Sequence, residues 1–256
     1  KVRHHGIDLA GPGEFFSAGA YRKYAVSVLN ANAAAGRRTI VAGGTGLYVK
    51  SLIEGLSSAS AGDLSVRAYW TNILKERGIA SLQEALLARS PETYARIVDR
   101  KNARRLIRAL EMAECGDDLR NRTWNSGKES VPVAGLTMPA EALKTRIAAR
   151  VDEMYSAGFV AEVKGLLESG VELSDTARQA IGYAEVIDFL DGRCSREDAI
   201  ARTVVRTRQL AKKQRTWFRH QLNVEWIEVT AAMETGEIAH RVLEHWRRYG
   251  PTEIAE

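Results

Sequence analysis

The segment Thr207 to Arg219 holds the chain's densest group of side chains able to do chemistry, and most of them are cations. Arg208, Lys212, Arg215 and Arg219 recur at helical offsets, so they share one face. Arg202 and Arg206 extend the charge upstream, and the nearby acids in sequence are only Glu197 and Asp198, at the helix start. Such a stripe, ending in Trp217-Phe218, suits a polyanion or a set of phosphates; a solvated helix face accounts for the same pattern. Arg146 and Arg150, four apart beside the apolar pair Ile147 and Val151, can clamp a diphosphate through charge-assisted bonds. The alternative for Arg150 is a surface ion pair with Asp152, Glu153 or another carboxylate.

Three further groups stand out. Gly43-Gly44-Thr45-Gly46 lies between an apolar run and a helical pattern. Its glycines let backbone approach a ligand closely, and the following helix N-terminus favours an anion or a polar base edge. It is not a Walker loop, since no Gly-Lys-Ser/Thr follows, and a tight turn with Thr45 as N-cap fits equally well. Asn102 to Glu111 reads as a basic amphipathic helix, with Leu106 and Leu110 on one side and Arg104, Arg105 and Arg108 elsewhere. It suits either solvent or a nucleic-acid backbone. Arg178-Gln179-Ala180-Ile181-Gly182-Tyr183 places a glycine inside a helical pattern, at a cost of about 1 kcal/mol relative to alanine, as close packing or ligand approach requires. His4-His5 and Asp8 lack a third ligand at metal-binding spacing.

These residues must be carried by an α/β frame. Ser17 caps a predicted helix to about Ala35 with Gly36 as its stop. Arg38 to Ala42 reads as a short buried strand entering the glycine loop, and a helix continues to Ile53, the order expected of a parallel layer. Leu56 to Gly62 is the exit. Residues from about Ser65 to Cys115 are helical throughout, with breaks at Gly78, Ser90-Pro91 and Arg100. A strand over Val131–Thr137 returns to the sheet. Helices are predicted near 139–156, 158–169, 176–190, 195–221 and 236–248, and Val224 to Val229 alternates like a last strand. The resulting domains are an α/β core of 1–56 and 129–256 and an all-helical insertion of 57–128.

The 256 residues can bury a core of that size. A net charge of +5 and a pI near 9.2 fit an anionic partner. Cys115 and Cys194 have no metal or CxxC spacing and read as thiols of a reducing cytoplasm. No apolar run reaches membrane-spanning length and no signal peptide is visible, so no membrane partner is expected.

In order along the chain, these blocks resemble the bacterial tRNA dimethylallyltransferases (tRNA isopentenyltransferases). His4-His5-Gly6-Ile7-Asp8 with Phe16-Ser17-Ala18, and Gly43 to Tyr48 with Lys50 and Glu54-Gly55-Leu56, match that family's first two blocks here. Val66-Arg67, Asn102 to Glu111, Gln179 to Tyr183 and Thr207 to Arg219 match the rest. Asp117-Asp118 departs from the lysine and small residue usual there.

The resemblance implies a P-loop NTPase-like parallel sheet flanked by helices, with a helical tRNA-binding insertion. It implies transfer of a dimethylallyl group from dimethylallyl diphosphate to N6 of the adenosine just 3′ of the anticodon, in tRNAs reading codons that begin with U. The partners are then the tRNA anticodon stem-loop and dimethylallyl diphosphate, the cofactor is Mg2+, and the enzyme is a cytoplasmic monomer. Thr45 falls at a catalytic position that also contacts the target nucleotide. Arg146 and Arg150 fall on the diphosphate, with Arg150 catalytic. Arg67, Arg104, Arg105, Arg178, Gln179, Gly182, Tyr183, Arg208, Lys212 and Arg215 fall at tRNA-binding positions. The family's phosphate-binding loop and Asp-Ser-x-Gln motif, with its general-base aspartate, match nothing in this sequence. The chain starts with Lys rather than Met, so at least one βαβ unit, roughly 30 residues, is expected upstream. These residues alone are therefore expected to bind a stem-loop weakly, to transfer no prenyl group and to be poorly soluble. Two other classes compete. An adenylate isopentenyltransferase has little use for a basic helical insertion, and a non-catalytic RNA-binding relative lacks the phosphate loop altogether.

Overall fold

The computed structural model describes residues 2–55, 64–114, 132–252 and 254. The Leu56–Gly62 exit, Cys115, Asp117-Asp118 and Val131 lie outside the described residues. The chain divides into two compact units, Lys1–Ile53 with Glu129–Glu256, and Glu54–Lys128.

The first unit holds α1 (Ala18–Ala34), α2 (Gly46–Ile53), β1 (Val133–Thr137), α6 (Ala140–Ser156), α7 (Phe159–Glu168), α8 (Asp175–Arg178), α9 (Tyr183–Leu190), α10 (Arg196–Gln221), β2 (Val224–Glu228) and α11 (Thr235–Tyr249). Ser17 caps α1 by accepting the Ala20 N–H, and Gly36 turns the chain at φ +64. β1 and β2 pair in parallel from Val133↔Val224 to Thr137↔Glu228. A parallel pair needs a long crossover, which α6 to α10 supply. The core of this unit is built from Ile147, Val151 and Tyr155 of α6, Phe159 and Val163 of α7, Val186 and Ile187 of α9, and Ala199 of α10. The buried Tyr155 hydroxyl meets Thr203 Oγ1 at 3.0 Å and fixes α6 against α10. α11 is tied to the sheet by His245, whose Nε2 lies 2.8 Å from the Pro132 carbonyl.

The second unit holds α3 (Leu64–Arg89), α4 (Pro91–Arg96) and α5 (Ala103–Glu114). Gly78, at φ +76, kinks α3 where a break was expected. Trp70, Leu82 and Leu86 of α3 pack on Leu106, Ile107 and Leu110 of α5, so the apolar side read from Leu106 and Leu110 is the buried one.

Two expected elements differ. Residues 38–42 form no strand, and Ile40 and Val41 are 67% and 45% exposed. Thr39, Ile40 and Val41 are β-branched and favour a strand, but pairing decides, and β1 and β2 are the only paired strands among the described residues. The helix read over 176–190 is two helices, α8 and α9, separated at Gly182. There φ is +96, and an added Cβ would lie 2.9 Å from two ring carbons of Phe159. The glycine serves a sharp break packed on an aromatic ring rather than a helix interior.

Candidate functional site

The glycine loop is shaped by α10. An added Cβ at Gly44 would lie 2.5 Å from Gln214 Nε2, and one at Gly46 would fall inside van der Waals contact of the Trp217 ring. Close approach of a helix, not of a ligand, therefore accounts for these two glycines; at Gly43 a Cβ would meet nothing within 4 Å. Between them the Thr45 carbonyl accepts the Tyr48 and Val49 N–H groups at 2.9 and 3.2 Å, starting α2, while the Thr45 side chain is exposed. α2 is held in place by Tyr21 stacked on Tyr48 at 4.3 Å, by Arg22 Nε donating to the Ser51 carbonyl and by Lys50 Nζ donating to Gln221 Oε1, both at 2.9 Å. Thr45 is thus a surface hydroxyl on a braced turn beside the last turns of α10. Gly46→Ala is expected to lower stability by about 1–3 kcal/mol through overpacking against Trp217. Gly43→Ala is expected to stay near wild type, and denaturant melts of the two variants check the difference.

α10 begins in a capping box, with Ser195 and Asp198 exchanging bonds. Its cations split into two groups. Arg202 donates to Asp188 at 2.8 Å, and Arg193 shares that carboxylate. Arg193 foremost, with Arg202, holds the Asp188 carboxyl below its usual range. Arg206 donates to Glu185 at 2.5 Å and to the Gln179 carbonyl at 3.1 Å. The upstream extension of the stripe is therefore neutralised by α9. Arg208, Lys212, Arg215 and Arg219 are exposed, and none of them forms an ion pair among the described residues. The unneutralised cations thus occupy the turns that reach and lie on the glycine loop.

On α6, Arg146 and Arg150 are exposed while Ile147 and Val151 are buried, as the spacing required. The alternative pairing of Arg150 with Asp152 or Glu153 is not made among the described residues. In the 178–183 block, Arg178 and Gln179 are exposed and Gly182 is buried. The Tyr183 hydroxyl donates to Glu162, which with burial pushes it up to about 12, so it stays protonated.

In the second unit Arg104 and Arg105 are exposed on α5. Arg67 is engaged internally: its guanidinium donates to Glu111 Oε1 and Oε2 at 2.5 and 3.1 Å, and Arg108 donates to Oε2 at 2.9 Å. Glu111 is fully buried. Burial alone would raise its carboxyl, but the hydrogen bonds from Arg67 and Arg108 outweigh that and hold it below its ordinary value. Sequence reading missed this carboxylate. The available signal was its place next to Leu110 and one turn after Ile107, at the margin of the apolar face. Among the described residues no group of three or more His, Cys, Asp or Glu could hold a metal ion.

A family model described as IPP transferase matches residues 1–221. The chain belongs to the IPP transferase family. A tRNA dimethylallyltransferase of Corynebacterium urealyticum is 36% identical over 252 residues, covering 95% of this chain and 74% of that protein. One of Geobacillus thermodenitrificans is 37% identical over 235 residues, covering 90% and 74%. Among solved structures, the full-length tRNA isopentenylpyrophosphate transferase of Bacillus halodurans matches with a TM-score of 0.62 and 32% identity, over 96% of this chain and 80% of that one. A eukaryotic dimethylallyltransferase acting on tRNA matches with a TM-score of 0.73 at 22% identity, over 93% and 64%, a likeness of fold alone. The fold class expected from the sequence is that of these transferases, P-loop-like α/β with a parallel sheet flanked by helices. No helix among the described residues is long and apolar enough to cross a membrane.

Proposed function

We propose that this IPP transferase family member moves a dimethylallyl group from dimethylallyl diphosphate to N6 of the adenosine just 3′ of the anticodon, in tRNAs reading codons that begin with U. The observation that carries this reading is the set of exposed cations Arg208, Lys212 and Arg215, without an ion pair among the described residues, on the helix whose Gln214 and Trp217 pack against the loop bearing Thr45. In the reaction the N6 amine attacks the allylic carbon, the carbon–oxygen bond to diphosphate breaks, and the amine loses a proton to a base that is none of these residues. The target base must leave its stack to react, and Thr45 is the hydroxyl on this surface suited to receive it. Charge grows on the departing diphosphate, and fixed cations stabilise it most in the transition state. Arg146 and Arg150 take that role, as exposed guanidinium groups without an ion pair among the described residues, on the helix packed against α10. Magnesium is the ion the proposed reaction calls for, and bound with the diphosphate it would supply positive charge beside the leaving group. It neutralises phosphate charge, and no step here depends on it. The setting is the cytoplasm, where tRNA is at hand, and the protein acts as a monomer.

The helical unit favours RNA over a free nucleotide as acceptor. Exposed Arg104 and Arg105 suit a phosphate backbone, and AMP has no use for them. Arg104→Ala with Arg105→Ala is expected to weaken stem-loop binding and to reduce the slope of log K against log salt by a little under one unit per lost phosphate contact, leaving use of the allyl diphosphate intact. An unchanged slope would place both arginines in solvent. Acceptor choice tests the reading as a whole. With a stem-loop and AMP in competition, the full-length protein should prenylate the stem-loop; prenylation of AMP alone would favour the free-nucleotide enzymes.

A further inference from the structure

We propose that Glu185 and Arg206 are positioning residues that lock the Gln179–Gly182 loop in the shape it presents to RNA; this rests on the proposed function. Glu185 is 1% exposed, yet it carries a charge-bearing group into the core of its unit. Its Oε2 accepts the Gly182 N–H at 2.8 Å, and its Oε1 accepts Arg206 Nη1 at 2.5 Å. The other arm of the same guanidinium, Nη2, donates to the Gln179 carbonyl at 3.1 Å. One side-chain pair therefore ties both ends of the loop, the carbonyl at its start and the N–H at its end. At Gly182 the Phe159 ring blocks the space a side chain would need, so the loop is also held from beneath.

A buried carboxylate is stable only when paired and hydrogen-bonded, and a planar fork is the donor able to serve two acceptors at fixed angles. Arg206 sits one turn or less before Arg208 and looks, by sequence, like part of the cationic stripe. Its charge is spent on Glu185 instead. The pair thus acts through the loop, whose Arg178 and Gln179 are exposed, rather than on phosphate directly. It also fixes the approach of α9 to α10 just before the turns of α10 whose cations form no ion pair among the described residues.

Arg206→Lys in the full-length protein separates this role from others, because it keeps the charge and removes the fork. The expected result is about tenfold weaker stem-loop binding, the order of one lost hydrogen bond to a charged group. The salt slope and the KM for dimethylallyl diphosphate should be unchanged, and the Gly182 amide should exchange faster. Glu185→Gln, which keeps an acceptor for Gly182 and removes the charge, should shift the same two readouts if Arg206→Lys does not fold. Wild-type stem-loop affinity in a folded variant would overturn the proposal. So would a slope reduced by nearly one unit, which marks a direct phosphate contact, or a parallel rise in the donor KM, which marks general damage. If wild-type protein binds no stem-loop, it is the proposed function that fails.

Discussion

Arg150→Ala is expected to lower the single-turnover rate of prenyl transfer by roughly 30- to 900-fold, equivalent to about 2–4 kcal/mol, while tRNA affinity changes little. The asymmetry follows from where charge appears. The diphosphate gains negative charge as it departs, so a cation facing it gains more in the transition state than in the bound ground state. The structure makes the experiment clean. Arg150 is exposed and has no ion pair among the described residues, so its removal orphans no buried carboxylate and should leave the melting transition where it is. Near-normal single-turnover rates in the variant would reduce Arg150 to a surface residue.

The second large effect is one of stability and belongs to the helical unit. Arg67→Ala combined with Arg108→Ala is expected to destabilise that unit by about 3 kcal/mol or more, because it leaves Glu111 buried and uncompensated. Each single change should cost well under half of this, since the other arginine still neutralises the carboxylate. Both guanidiniums are about one-third exposed, at 34% and 33%, which keeps the estimate at the lower end for buried pairs. The pH dependence has a fixed sign. The folded carboxyl lies below its ordinary value of 4.5, so its contribution is complete above that value and is lost as pH falls through the lower folded one. Urea melts at about pH 7 should separate wild type from the double variant, and the gap should narrow as pH falls below 4.5 and through the lowered folded value. A gap independent of pH would point to lost packing rather than lost charge. On the proposed reading Arg67 also contacts tRNA, so its single-alanine variant should be read against a melt before any binding loss is assigned to RNA.

Local chemistry was legible in the sequence. The Ser17 cap, the Gly36 and Gly78 breaks and the Ile147–Val151 core face all act within a few residues, and each was readable as spacing. Contacts between distant elements were not. The cationic stripe looked continuous from Arg202 to Arg219, because nothing in the sequence of α10 reveals that α9 brings Asp188 and Glu185 against its first half. The glycines of the loop read equally as a ligand approach or a tight structural turn, and the sequence could not show that Gln214 and Trp217, far along the chain, lie against Gly44 and Gly46. Gly182 read as a costly helical residue because its reason, the Phe159 ring, lies on another helix. Residues 38–42 have strand composition, but a strand exists only with a neighbour to bond. Which of the cations singled out by type and spacing keep an unneutralised charge among the described residues was a matter of tertiary structure.

The most direct test is product analysis after a single turnover. The full-length protein is incubated with labelled dimethylallyl diphosphate and an anticodon stem-loop that carries one adenosine immediately 3′ of the anticodon, and the nucleosides are then separated and weighed. The expected result is label in that adenosine alone, as its N6-dimethylallyl derivative, and its loss when the adenosine is replaced by guanosine. Stem-loop binding without transfer, or label in any nucleoside other than that adenosine, would contradict the proposed reaction.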